Sequence, residues 1–238
     1  MTTAVTAVVF GSRGGARLAR ALAGVDWAEE RIVLDPADRL RDEALPAGVR
    51  RVVVEAALLP GQPWVLLLGE DDVAAPALAG AVGTALAAAD PPPAFRLPQE
   101  VAGFGGVLRL RRAPVRLARA GTPLAAPRAV GPELDPGRHP CGRLPVGIRT
   151  CVAVSLAGLI DDLEADAAAL AALWRARRVP VRMCQLVGPP FAVAGRVLLA
   201  PAVARARWAR WSLAVIAGFS LMVARAKLWE LTRTGSTA

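Results

Sequence analysis

Trp64-Val65-Leu66-Leu67-Leu68-Gly69-Glu70-Asp71-Asp72 is the stretch on which the fold turns. Five apolar residues in a row, ended at once by glycine, read as a strand buried on both faces. It is the most hydrophobic strand of the chain, and it runs straight into three consecutive carboxylates.

Working outward, residues 4–10 form another apolar, β-branched run, ended by Gly11. Residues 14–23 place Leu18 and Leu22 four apart, as in a short helix facing a sheet. Residues 31–34 and 51–54 read as strands, the former closing on Asp35, with a turn of helix expected at 41–44. Residues 76–89 form an Ala-rich helix stopped by three prolines at 91–93. Strands separated by helices predict a parallel sheet, because parallel neighbours need a crossover. Ligands of such sheets sit beyond the carboxyl ends of the strands. Gly11, Asp35 and the 69–72 turn all fall there, so one rim is the candidate site.

Past residue 94 the pattern changes. Residues 95–97, 107–110 and 115–117 alternate apolar residues with Arg, as half-exposed strands do, and the Pro/Gly-rich 121–147 stretch reads as a loop over the site. A helix is predicted over roughly 153–177, its acidic residues Asp161, Asp162, Glu164 and Asp166 early and its arginines late, in line with the helix dipole. A last helical region follows Pro190. The expected organisation is a nucleotide-sugar-binding domain over 1–150 and a helical region over 151–238.

Composition narrows the class. The 238 residues are 54% hydrophobic, enough for one sizeable core. The net charge of +9 is uneven: residues 1–100 carry nine arginines against 13 carboxylates, and residues 101–238 carry 20 basic against seven acidic residues. Nucleic acid, anionic lipid and an anionic substrate each suit the basic half. The basic residues alternate with Ala, Leu and Val and form no recognition motif, which argues against nucleic acid. Near the C-terminus Trp208, Arg210, Trp211, Arg225, Lys227 and Trp229 flank an apolar run at 212–224, which is shorter than the roughly 20 residues a bilayer crossing needs. An interfacial helix on an anionic membrane surface fits, and a helix packed on the domain is the alternative. Cys141, Cys151 and Cys184 form no CxxC pair, which argues against a disulfide framework and a zinc site. No export leader is evident at the start, so the expected location is cytoplasmic.

Several residues are suited to chemistry. Three carboxylates at one turn repel one another unless water or a cation screens them. A Mg²⁺ or Mn²⁺ ion takes oxygen ligands and bridges carboxylates to a diphosphate, stabilising its departure. Asp71 and Asp72 are the candidate metal ligands, with Glu70 beside them; an acidic surface turn capping the next helix is the alternative. Asp35 can accept hydrogen bonds from a nucleobase or ribose, or begin a turn with Pro36. Gly11-Ser12-Arg13-Gly14-Gly15 has the look of a phosphate-cradling turn but matches neither GxGxxG nor the P-loop, and a strand-to-helix turn is the simpler reading. His139 is the only histidine, which excludes a Ser-His-Asp triad within one chain. Glu133 and Asp135 are the better candidates for activating an acceptor hydroxyl.

Three segments resemble the family 2 glycosyltransferases, especially the short type related to lipopolysaccharide core biosynthesis. Val25-Asp26-Trp27-Ala28-Glu29-Glu30-Arg31-Ile32-Val33-Leu34-Asp35 is similar to that family's segment ending in a nucleotide-binding Asp. The Trp64–Asp72 stretch and the Pro76 helix start are similar to its D-x-D region, and residues 213–228 to its membrane-proximal helix. The resemblance implies a GT-A-type, Rossmann-like, mostly parallel sheet flanked by helices, with a C-terminal helical membrane-proximal region. It further implies a nucleotide-sugar donor, a divalent metal (Mg or Mn), and inverting transfer to a lipid-linked or cell-envelope glycan acceptor at the inner face of the plasma membrane. On that resemblance Asp35 and Glu70 serve the nucleotide, Asp71 and Asp72 the metal, and Glu133 is the base. Gly69 stands where the first Asp of D-x-D belongs, unless a one-residue slip lets Glu70 and Asp72 serve; Ser12-Arg13-Gly14-Gly15 replaces the family's Asn and Glu, and the V-H-E motif is not intact, Glu133 being the nearest counterpart to its Glu. These departures leave open a catalytically degenerate relative that binds or assembles partners in envelope glycan synthesis.

Overall fold

The computed structural model describes residues 4–53, 60–103, 106–110, 113–125, 132–151, 156–180, 184–199 and 207–234. Its centre is a seven-stranded sheet. The strands are β1 (Val5–Phe10), β2 (Glu30–Leu34), β3 (Val49–Val52), β4 (Trp64–Gly69), β6 (Ala94–Arg96), β9 (Val115–Arg119) and β12 (Cys141–Arg143). They lie in the order β12-β6-β9-β4-β1-β2-β3. β1 pairs in parallel with β2 and β4, β2 with β3, and β6 with β12, while β9 runs against both its neighbours. The sheet is therefore mainly parallel and helix-flanked, compatible with a Rossmann-like architecture.

The continuous apolar runs of β1 and β4 are explained by cover on both faces. Val5, Ala7, Val9, Leu66 and Leu68 pack with Leu18 and Leu22 of α1 (Gly15–Ala23) and Leu78 and Val82 of α2 (Leu78–Leu86). The alternate residues Val8, Ile32, Leu34, Val65 and Leu67 cluster on the other face with Leu173 of α3 (Leu156–Ala176).

A second sheet, in the order β5-β13-β7-β8, joins β5 (Asp72–Ala74), β7 (Gln99–Gly103), β8 (Gly106–Arg109) and β13 (Ile148–Cys151). A two-stranded ribbon pairs β10 (Leu124–Ala125) with β11 (Glu133–Leu134). Beyond it α4 (Cys184–Leu198) and α5 (Arg207–Thr234) pack with α3 around Ala171, Trp174, Val193, Val197, Ala217, Leu221 and Ala224.

Several sequence expectations are corrected. Residues 41–44 form a turn and no helix. The 121–147 stretch is more than a loop, since it contributes β10, β11 and the sheet strand β12. β9 is buried where half-exposure was expected, because it lies between β4 and β6. The last helical region begins before Pro190: α4 carries Pro189 and Pro190 inside it. Residue 54, at the end of the expected third strand, lies outside the described residues.

Candidate functional site

β1 has β2 on one side and β4 on the other, so the chain's strand order reverses between β1 and β4. In open α/β sheets the crevice at such a reversal, beyond the carboxyl ends, is where ligands bind. Two segments of the candidate rim meet there, and the Glu70 amide donates to the Phe10 carbonyl at 3.1 Å.

Glu70 is buried and its carboxylate is inserted into the turn after β1. Its Oε2 accepts from the backbone amides of Ser12 at 3.1 Å, Arg13 at 3.1 Å and Gly14 at 3.2 Å. Its Oε1 accepts from the Ser12 hydroxyl at 2.9 Å and from Arg13 Nε. Gly14 and Gly15 have φ of 74° and 64°, values that cost a side-chain-bearing residue energy. Consecutive amides converging in this way form an anion-binding nest. The turn is thus a cradle of the phosphate-binding kind, filled by the protein's own carboxylate.

Arg13 is the hub. It pairs with Glu70 and Asp71 on the β4 turn, with Asp162 of α3 at 2.9 Å, and more distantly with Asp166 at 3.7 Å. Arg17 of α1 bridges Asp71 at 3.2 Å and Asp162 at 2.7 Å. Burial alone would lower the Arg13 pKa, but Asp166, Asp71 and Glu70 outweigh it and the guanidinium is held more firmly charged. Burial also pushes Glu70 upward, yet Arg13 and the turn amides bring it below its ordinary value, so it is ionised. Asp71 moves the other way, raised first by burial despite Arg13 and Arg17.

Ser12 adds a proton count. Its Oγ lies 2.9 Å from Glu70 Oε1 and 2.9 Å from Asp166 Oδ1. A hydroxyl has one hydrogen, so two such bonds to carboxyl oxygens require a proton on one of the acids. Glu70 is held ionised, which assigns that proton to Asp166. The Asp166 side chain is half-exposed, and partial burial with the charges of Asp71 and Glu70 raises its pKa, against Arg13 and Ser12. A carboxyl whose pKa is raised on folding stabilises the closed cluster at pH below its ordinary value and loses that contribution as pH rises through the folded-state value. Thermal midpoints from pH 4 to pH 8 are therefore expected to fall more for the natural chain than for Asp166→Asn, which keeps a donor toward Ser12 at every pH; parallel curves would contradict the assignment.

The remaining sequence candidates lie elsewhere. Asp72 turns into the interior on β5, where Oδ2 accepts from the Gly69 amide at 2.7 Å and faces Arg116 at 3.4 Å, while Oδ1 accepts from Thr150 of β13. Asp72 and Arg116 are 1% and 0% exposed at their side chains. Burial lowers the Arg116 pKa, opposed by Asp72 and Glu133. Glu133, on β11, accepts from the Val115 amide at 3.3 Å, so its charge serves the same interior arginine. Asp35 is buried and accepts from the Arg39 and Leu40 amides at 3.1 and 2.7 Å and from Arg51 at 3.3 Å. Its oxygens organise the 36–40 turn, the alternative reading of that residue. Asp135 accepts from the Gly137 amide at 2.9 Å on an exposed turn.

These partners decide the fit of a divalent cation. The oxygens of Asp71 are taken by Arg13 and Arg17, those of Glu70 by the turn, and those of Asp72 by Gly69, Thr150 and Arg116. Among the described residues no group of three or more His, Cys, Asp or Glu is arranged to hold a metal. The residues present do not fit Mg²⁺ or Mn²⁺, and two guanidinium groups stand where the cation was expected.

No family model matches this chain, and no curated protein matches it. Among solved structures it is similar to residues 1–349 of TarS from S. aureus. That likeness has a TM-score of 0.35 at 10% identity, covering 97% of this chain and 91% of the other. It is too distant to carry an inference.

Sequence reasoning named Arg13 within the possible phosphate-cradling turn and gave no site role to Arg17, Asp162, Asp166 or the buried Arg116. A usable signal was present for the acidic pair, since Asp162 and Asp166 are four apart on α3, the spacing that puts side chains on one helical face. The α3 carboxylates were attributed to the helix dipole; two of them instead reach the crevice.

Proposed function

We propose that this chain is a glycosyltransferase that takes a sugar from a nucleotide-sugar donor and passes it to a lipid-linked or cell-envelope glycan. The observation that carries the reading is the meeting, at the strand-order reversal, of a three-amide cradle with Arg13 and Arg17. A diphosphate is the ligand class that uses such groups together, accepting from backbone amides and from forked guanidinium donors. In this reading Arg13 and Arg17 exchange Asp71, Asp162 and Glu70 for phosphate oxygens as the donor enters. The charge that develops on the departing nucleoside diphosphate is met by guanidinium groups held in place beforehand. Asp35, at the adjacent strand end, serves the nucleotide, and Glu133 is the proposed base. The proposed location is the cytoplasmic side, peripheral to the inner face of the plasma membrane.

One observation favours a second reading. The cradle is filled by Glu70 and closed over by α3, as suits a degenerate relative that binds partners in envelope glycan assembly without transferring sugar. A thermal-shift screen of nucleoside diphosphate sugars, followed by an assay of slow donor hydrolysis, separates the two. The transferase reading expects a stabilising donor and measurable hydrolysis, and stabilisation without hydrolysis supports the second. The absence of any stabilising nucleotide would remove both.

A further inference from the structure

Helix α5 has two unlike faces. Ala214, Ala217, Leu221, Ala224 and Leu228 are buried in the cluster with α3 and α4. Trp211, Val215, Phe219 and Met222 lie on the other side and are 58%, 63%, 47% and 39% exposed. Their spacing of four, four and three keeps them on one stripe of the helix. No charged residue interrupts the sequence from Trp211 to Ala224. Phe191 on α4 and Leu199, just past its end, are also exposed. Four large apolar side chains in one row form a surface that a solvated helix does not keep without a partner.

The charges around the stripe identify the partner. Residues 184–238 contain seven basic residues and one acidic residue, Glu230. The arginines at 207 and 210 fall in the first turn of α5, and at the far end the exposed Arg233 lies over the Trp229 ring at 4.4 Å. Cations at both ends, aromatic rings and a charge-free apolar row between them make the pattern of a helix lying in the plane of a membrane interface. Among the described residues no helix is long and apolar enough to cross a membrane, which accords with a flat orientation. A second copy of the chain is a poorer occupant. It would bring the same cationic surplus to the seam, and like charges across an interface repel.

We infer that the outer face of α5, built on Trp211, Val215, Phe219 and Met222, is a docking surface for an anionic lipid bilayer, on which the 28-residue helix lies flat over about 42 Å. This gives the proposed lipid-linked acceptor a place but stands apart from it, because docking requires neither donor nor transfer.

The test is flotation of the full chain with vesicles of phosphatidylcholine alone or mixed with phosphatidylglycerol, together with light scattering of the protein alone. Binding to the anionic vesicles, weakened by salt, is expected, and Trp211→Ser with Phe219→Ser should reduce partitioning by roughly tenfold or more. Both side chains are exposed, so far-UV circular dichroism should be unchanged and folding does not confound the result. Equal binding to both vesicle types, no binding to either, or a dimer that the same double substitution dissolves would each overturn the inference. Loss of sugar transfer alone would leave it standing.

Discussion

Arg116→Leu is expected to lower the stability of the fold by about 3–5 kcal/mol, the usual cost of stranding one partner of a buried ion pair. Arg116 and Asp72 are both withdrawn from water, and Glu133 adds its field to the same guanidinium. Taking the arginine away leaves the buried Asp72 carboxylate without its cation, with Gly69 and Thr150 as its remaining hydrogen-bond donors among the described residues. Urea denaturation is the measurement, read as a drop in midpoint at unchanged slope. Adding Asp72→Asn to the leucine variant removes the stranded charge and should recover a large part of the loss, because replacing both members of a buried pair is often close to neutral. An Arg116→Leu variant within about 1 kcal/mol of the natural chain would contradict a buried ion pair at this position.

Glu70→Ala is the second large change, and its effect should depend on the anion in the buffer. The substitution removes the acceptor for three backbone amides, the Ser12 hydroxyl and Arg13. Buried donors left without an acceptor cost about 1–3 kcal/mol each when no water replaces it, and partial hydration should hold the total to roughly 3 kcal/mol. The emptied cradle is also a site for inorganic phosphate or pyrophosphate. Titrating pyrophosphate should raise the thermal midpoint of the alanine variant well above any rise seen for the natural chain, since a ligand that binds only the folded state stabilises it by mass action. Equal responses of the two proteins would show that the amides of Ser12, Arg13 and Gly14 do not form an anion cradle once vacated.

The legible part of the molecule was the part fixed by local pattern. β1 and β4 are buried on both faces and are therefore continuous apolar runs, each short and ended by a glycine. α1 was readable from Leu18 and Leu22, and the parallel order followed from strands that alternate with helices. Elements that exist only through tertiary pairing were not readable. β12 is three residues of a Pro/Gly-rich stretch, held by its pairing with β6, and β5 is a three-residue strand made by β13. β7 hides its pattern behind Gln99 and Glu100, and α4 contains two prolines that normally mark an end.

The candidate site divided in the same way. Its position on the rim followed from the strand ends, because Gly11 and the 69–72 turn punctuate apolar runs. Its charge arrangement did not, because Asp162 and Asp166 come from α3, 90 residues or more beyond the acidic turn. Three adjacent carboxylates looked like one ligand set. The strand geometry instead sends Glu70 to the first turn, Asp71 to Arg13 and Arg17, and Asp72 to the interior. Glu70 and Asp71 still meet on Arg13, whereas Asp72, the first residue of β5, turns away to Arg116, so the three neighbours do not form one ligand set.

Calorimetric titration of a nucleoside diphosphate sugar, with the natural chain and with Arg17→Ala, each with and without a chelator, bears most directly on the claim that paired arginines at the β1–β4 reversal receive the donor's diphosphate. Arg17 is the more exposed of the two arginines, so its loss should leave the fold intact. The account predicts binding that the chelator does not alter and that Arg17→Ala weakens by about tenfold or more, in keeping with the loss of one charge-assisted contact. Donor affinity that collapses on chelation, or that is the same in both proteins, would contradict it.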